Sequence, residues 1–203
     1  MGAVVALDGL LATRTLWQAG RGTALPADGE PTGHPALDAL LPQGGWPRGA
    51  LTELLLPADG VGELALLLPT LARLTAAGGR VVLVAPPYLA YAPAWQAAGV
   101  DLSLLALVEA GPADAAWAFE QCLRSGACAA VLGWPRQADP KTLRRLQVAA
   151  DSGRCLGFAL RDARHARNPS PAALRLEQAD GHWHVRKCRG GPPPARAFAP
   201  AAH

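Results

Sequence analysis

The sequence predicts an α/β fold with a mostly parallel central sheet flanked by helices and a small C-terminal β hairpin. Three observations predict it. Strand-length apolar runs at Ala50–Leu56, Gly78–Ala85, Val100–Val108, Cys128–Leu132 and Arg154–Leu160 recur with helical spacing between them. Strands separated by helices pair in parallel through right-handed crossovers. The stretch Leu54–Leu68 passes from an apolar run through a Pro57/Asp59/Gly60 turn to leucines at 64, 67, 68 and 71, which is strand, turn, helix. Finally, Ala172–Glu177 and His182–Cys188 alternate in the two-residue period of strands about Asp180-Gly181, a tight-turn dipeptide.

The elements follow in order. Val4–Gln18 reads as an amphipathic helix with Leu7, Leu10, Leu11 and Trp17 on its apolar side, and Arg21–Pro31 as a Gly/Pro/Asp linker. Residues 1–30 therefore form an arm, and 31–189 the body. In the body, Pro35–Leu41 makes one or two helical turns and Gln43–Gly49 a glycine-rich turn before the first strand. After the strand at Gly78–Ala85 come a proline-broken loop, Pro86–Pro93, and a short helix, Ala94–Ala98, stopped by Gly99. Pro112–Ser125 is a helix with Ala115, Ala116, Phe119, Cys122 and Leu123 inward. Asp139 caps a helix that has Pro140 at its first position and stops at Ser152-Gly153, with Leu143, Leu146 and Ala150 inward and Lys141, Arg144 and Arg145 outward. The Pro-rich stretch 190–203 reads as an unfolded tail, or more sharply as a docking peptide centred on Phe198.

Composition bounds the function. With 203 residues, 50% hydrophobic and 17% charged, the chain can bury a core without staples. Cys122, Cys128, Cys155 and Cys188 form no Cys-x-x-Cys pair and read as small hydrophobes, which points to a reducing cytoplasm. His182 and His184 share a strand face but have no third metal ligand at suitable spacing. Asp8 interrupts what a signal peptide would need as an apolar core, and no run reaches the ~20 apolar residues of a membrane span. Charge is polarised: residues 1–135 hold 6 Lys/Arg and 11 Asp/Glu, a net of −5, and 136–203 hold 13 and 5, a net of +8. A basic face of Arg144, Arg145, Arg161, Arg164 and Arg167 is therefore a candidate grip on nucleic-acid phosphates, weighed against a merely solubilising surface.

The loop at 57–64 has the geometry of a phosphate cradle and lacks its chemistry. A P-loop uses glycines for close approach, a lysine for phosphate charge and a hydroxyl for magnesium. With Gly62 on the second glycine, Pro57 takes the first, Glu63 the lysine position and Leu64 the hydroxyl position. A carboxylate facing a phosphate repels it by about 1 kcal/mol at ~4 Å in water and about 4 at an effective dielectric of ~20.

The phrase Thr32-Gly-x-x-x-Leu-Asp-x-x-Leu41, then Gly44-Gly-x-Pro-x-Gly49, then an apolar strand and this loop, resembles the opening of the RecA ATPase core. That resemblance implies further stations, and they too are emptied. Gly133 stands where an aspartate would hold magnesium, Pro86 follows the strand where a glutamate would orient water, and Leu160 or Arg161 stands near the phosphate-sensing amide. Among degenerate RecA-like groups the chain resembles ImuA more than the cell-division inhibitor SulA. The phrases are Pro31–Pro42, Gly44–Glu53, Val61–Leu64, Ala85–Tyr88, Tyr91–Pro93, Arg124–Val131, Ala138–Lys141 and Pro169–Leu176.

The resemblance implies a non-enzymatic, cofactor-free protein of the SOS response. It would act in mutagenic translesion synthesis with an ImuB-like inactive Y-family polymerase and, indirectly, an error-prone alpha-type DNA polymerase. RecA, DNA and a second copy stand open as further partners, and no membrane is implied. Leu7, Leu10, Leu11 and Trp17 in the arm are the expected partner contact. The alternatives are a SulA-like inhibitor binding FtsZ and a residual RecA-type ATPase.

Overall fold

The computed structural model describes residues 28–200. The arm with Leu7, Leu10, Leu11 and Trp17 lies outside the described residues. A seven-stranded sheet carries the molecule in the order β3-β2-β4-β5-β1-β6-β7. The strands are β1 Ala50–Leu56, β2 Val81–Val84, β3 Leu105–Val108, β4 Ala130–Gly133, β5 Leu156–Asp162, β6 Leu174–Ala179 and β7 His182–Cys188. All neighbours pair in parallel except β6 and β7. The helices are α1 Pro35–Asp38, α2 Glu63–Ala76, α3 Ala92–Ala97, α4 Ala115–Arg124 and α5 Pro140–Ser152. The fold is the mixed α/β one that the alternation predicts, C-terminal hairpin included.

Two apolar layers explain the order. Leu66, Leu67 and Leu71 of α2 and Trp95 of α3 meet Leu54, Leu56, Leu83, Leu132, Phe158 and Leu160 on one face of the sheet. Phe119 and Leu123 of α4 and Leu143, Leu146, Ala149 and Ala150 of α5 meet Leu51, Val82, Val84, Val131 and Ala159 on the other. Strands β1 and β4 are buried on both faces, so neither alternates apolar with polar residues, and in β1 only Thr52 and Glu53 interrupt the apolar run.

Local chemistry moves several boundaries. Within the expected strand Val100–Val108, the Asp101 carboxylate accepts the Ser103 N–H at 2.9 Å and its hydroxyl at 2.7 Å. That winds Leu102–Leu104 into a 3₁₀ turn and leaves only Leu105–Val108 in the sheet. Helix α3 starts two residues before the expected Ala94, with Pro93 in its first turn. Helix α4 starts at Ala115, not Pro112, and Ala118 is buried where Ala116 is half-buried. The hairpin turn has φ of 51° at Asp180 and 73° at Gly181, the left-handed pair that lets a two-residue connection follow the strand twist.

The described residues of both expected tails are held on the body. The linker was drawn to Pro31, yet Glu30 is buried, bridges Trp46 backbone to backbone, and pairs with Arg48 at 2.6 Å and with Arg73. The stretch after Gly190 is not unfolded over its described part. Phe198 exchanges both backbone hydrogen bonds with Trp183 of β7 and packs its ring 5.3 Å from that of His34. At 6% exposure it belongs to the core. A Pro-rich composition favours an extended chain, and an extended chain beside an edge strand finds backbone partners that the composition does not announce.

The predicted cap of α5 is present: the Asp139 carboxylate accepts the Thr142 N–H at 2.7 Å. This bond holds the carboxyl below the usual aspartate range. Because the folded-state value is depressed, the cap contributes fully above the unfolded value of 3.8 and is lost as pH falls through the folded one. Asp139→Ala is expected to lower the urea midpoint at neutral pH, with the gap to the parent closing in strong acid. An equal gap at both pH values would show that the carboxylate is not the source.

Candidate functional site

Strand β1 delivers the chain to the carboxyl edge of the sheet, where Pro57–Gly62 turns it into α2. Gly60 and Gly62 take φ of 78° and 99°. Those values suit glycine, and Gly62 is the residue preceding the helix. Glu63, the first residue of α2, is 4% exposed, and its Oε1 accepts the Gly60 N–H at 2.8 Å. The helix thus supplies its own carboxylate to a backbone donor of the loop. From β6, the Gln178 side-chain amide donates to the Val61 carbonyl at 2.6 Å and ties the loop to the sheet. Leu64 packs toward the apolar layer and Pro57 is exposed.

Beside this loop, at the carboxyl ends of β1 and β5, lies a cleft of about 130 Å³ lined by Pro57, Asp59, Arg136, Arg161, Asp162 and Arg164 among others. Nucleotide-sized ligands occupy clefts from ~300 Å³ upward. Arg136 is paired with Asp59 across its mouth. A larger cleft, about 490 Å³ and lined by Glu30, Arg48, Asp151 and Arg154, opens at the opposite, amino end of the strands. It is remote from the loop.

The other positions that the resemblance singles out are closely packed. A Cβ at Gly133 would lie 2.6–2.9 Å from the Phe119 ring, so α4 occupies the space that a side chain at the end of β4 would need. Beyond β2, Ala85 is held at φ 48° with its N–H on the Val108 carbonyl at 2.8 Å, and Pro86 follows half-buried. Trp134 lies at the carboxyl end of β4, 8% exposed, with no partner for its indole N–H among the described residues. Trp46 lies at the opposite end of the strands. That side chain precedes the amino end of β1 and sits in the core, edge-on to Phe158 at 5.2 Å and donating to the Thr70 hydroxyl at 2.8 Å.

The expected basic face does not assemble as one surface, because Arg161 is 5% exposed and turned inward. It donates to Glu53 at 2.7 Å and to the Ala138 carbonyl at 2.7 Å. Arg145 pairs with Glu120, and Arg164 stands 3.6 Å from Asp162. Arg144 and Arg167 are exposed.

What sequence reading missed is the partner of Arg161. Glu53, in the middle of β1, is 0% exposed and holds two arginines, with Arg175 of β6 donating to its second oxygen at 2.6 Å. Arg175 then donates to the carbonyls of His165, Ala166 and Asn168, shaping the segment that follows β5. Arg175 sits directly opposite Glu53 and Arg161 opposite Leu55. The signal was there in part, because a carboxylate in an otherwise apolar strand needs a buried cation. The register that supplies it was not.

A mostly parallel sheet flanked by helices, with a glycine turn from the inner strand β1 into α2 and an antiparallel hairpin at one edge, defines a mixed α/β architecture. No protein-family model matches it, and no curated protein does. Among solved structures it is similar to SulA from Pseudomonas aeruginosa, at 25% identity over 54% of this chain and 96% of that one, with a TM-score of 0.46. At that score the likeness is one of outline, and no residue role is transferred from it. Among the described residues no helix is long and apolar enough to cross a membrane.

Proposed function

We propose that the chain is a non-catalytic RecA-like accessory protein of SOS-induced mutagenic translesion DNA synthesis. It acts by binding an ImuB-like inactive Y-family polymerase and, through it, an error-prone alpha-type polymerase. The observation that carries the non-catalytic half is Glu63. A buried carboxylate takes the loop's Gly60 N–H where a nucleotide-binding loop would keep its donors for phosphate. Phe119 against Gly133 supports it, since a metal-holding side chain at that position has no room. The polymerase half is supported by the ordered phrases from Pro31 to Leu176 that resemble ImuA.

The test has two arms. Titration with ATP and magnesium is expected to show no saturable binding in the micromolar range and no phosphate release. Co-expression with an ImuB-like protein is expected to give a complex that survives gel filtration. Magnesium-dependent turnover would overturn the first half. Inhibition of FtsZ assembly, with no complex formed, would replace the second half by the SulA-like reading.

A further inference from the structure

Helix α5 ends in a motif that ordinarily carries glycine. The Cys155 N–H donates to the Ala150 carbonyl at 3.0 Å and the Arg154 N–H to the Asp151 carbonyl at 3.2 Å. This crossed pair of bonds puts Arg154 just past the helix cap, where the chain turns left-handed. Its φ is 51°, a conformation that suits glycine and strains a residue with a Cβ. A strained residue that persists points to a task for its side chain. The simplest task is to cap the helix carbonyls with its charge. Arg154 does not perform it: the side chain is exposed and meets no helix carbonyl and no carboxylate among the described residues.

Arg154 and Asp151 both line the cleft of about 490 Å³ at the amino end of the strands. That volume falls within the ~300–1,000 Å³ of small-molecule sites. Its apolar lining is Leu74 from the last turn of α2, Ala129 at the entry to β4 and Leu156 at the start of β5. One charged group of the lining is already satisfied, because Arg48 donates to the Asp28 carbonyl at 2.9 Å and, together with Arg73, pairs with Glu30. The other is not. Asp151, like Arg154, is exposed and without an ionic partner among the described residues. Gly49, at φ 56°, brings the entry to β1 against these two residues. A Cβ there would lie 3.7 Å from the Arg154 Cα and 3.8 Å from the Asp151 Cα. One guanidinium, one carboxylate and an apolar surface thus face the same cavity.

We propose that this cleft binds a free α-amino acid with an apolar side chain. The Arg154 guanidinium takes the carboxylate in its two-pronged fork, the Asp151 carboxylate takes the ammonium, and Leu74, Ala129 and Leu156 receive the side chain. An α-amino acid carries both charges on one carbon, and the two residues that meet them are joined by a backbone hydrogen bond at the helix end. A simple anion would face Asp151 and a simple cation Arg154, so the pair selects a ligand with both charges. This goes beyond the proposed function, since the cleft lies at the opposite end of the strands from the glycine loop and takes a small molecule.

The probe is L-leucine, titrated into the full-length chain by isothermal titration calorimetry. N-acetyl-L-leucine lacks the ammonium, L-leucinamide lacks the carboxylate, and glycine lacks the apolar side chain. Leucine is expected to bind saturably, and each of the three controls at least about tenfold more weakly. Asp151→Asn keeps the shape of the site, and should weaken leucine while leaving N-acetyl-L-leucine unchanged. Arg154→Gly puts glycine where the backbone favours it, so the variant should melt at least as high as the parent and yet bind leucine at least about tenfold more weakly. A purely structural Arg154 would leave leucine affinity at the parent's value. That result overturns the proposal, as does the absence of saturable leucine binding, or equal affinity for leucine and any one of the controls. If leucine binds only after residues 1–27 are deleted, the chain's own arm fills the cleft and the proposal is likewise overturned.

Discussion

Glu53→Ala is expected to destabilise the fold by about 3–5 kcal/mol, because it leaves two guanidinium groups buried without their counter-charge. Arg161 and Arg175 are 5% and 6% exposed, so neither can recover its hydration by a small shift. Arg175 is also tied to three carbonyls after β5, so losing its anchor should loosen Ala163–His165 and the cleft edge at Asp162 and Arg164. For a chain of this size the loss corresponds to a fall in melting temperature on the order of 10 °C. Glu53→Gln should be intermediate, keeping shape and one acceptor while losing charge. The informative comparison is the triple variant Glu53→Leu/Arg161→Met/Arg175→Met. Replacing a whole buried ion cluster by apolar groups is often neutral, so the triple should be more stable than the single. Urea denaturation of the three variants reads this out. A single variant within about 1 kcal/mol of the parent would mean that water reaches the arginines and that the cluster is not dry.

The second large effect is expected at Trp46. Its indole is fully buried, stacks edge-on against Phe158 and donates to Thr70, whose hydroxyl in turn donates to the Thr32 carbonyl at 2.8 Å. It therefore joins the stretch before β1, the middle of β5, helix α2 and the segment entering α1. Trp46→Ala opens a large cavity among elements too constrained to collapse, with an expected cost of about 3–5 kcal/mol. Trp46→Phe should recover most of the packing and lose only the hydrogen bond to Thr70, a difference of roughly 1 kcal/mol. Loss of near-ultraviolet dichroism in the Ala variant, with far-ultraviolet signal retained, would report the core opening. Equal stability of the Ala and Phe variants would place the contribution in the hydrogen bond and not in the ring.

Several features were legible before any coordinates. Helix α5 was marked by Asp139, Pro140 and Gly153, all acting within one turn of where they stand. The hairpin was marked by Asp180-Gly181, whose backbone conformation few other pairs adopt. The loop's departure from the P-loop pattern was readable because Pro57, Glu63 and Leu64 stand where that pattern ties glycine, lysine and a hydroxyl to fixed spacing. Misreadings fell where a distant group decides. The Phe198 segment looked loose because the β7 edge that holds it is not written in its composition. Trp46 belongs to a glycine-rich turn, and a turn does not specify which layer its side chain enters.

Arg161 shows the limit most clearly. By sequence it opens a run of exposed basic residues. By register it stands opposite Leu55 on the neighbouring strand, from where its side chain reaches Glu53, 108 positions away in the chain.

The sequence by itself determined the alternation of strands and helices, the polarity of the charge and the departure of the loop from the P-loop pattern of lysine and hydroxyl, since each depends on periodicity, composition or residue type at short range. Only the tertiary structure decided which strands lie at the edges of the sheet, which arginines are buried and where the C-terminal segment rests. Those outcomes depend on strand order and register, which arise from packing among residues far apart in the chain and leave no local pattern.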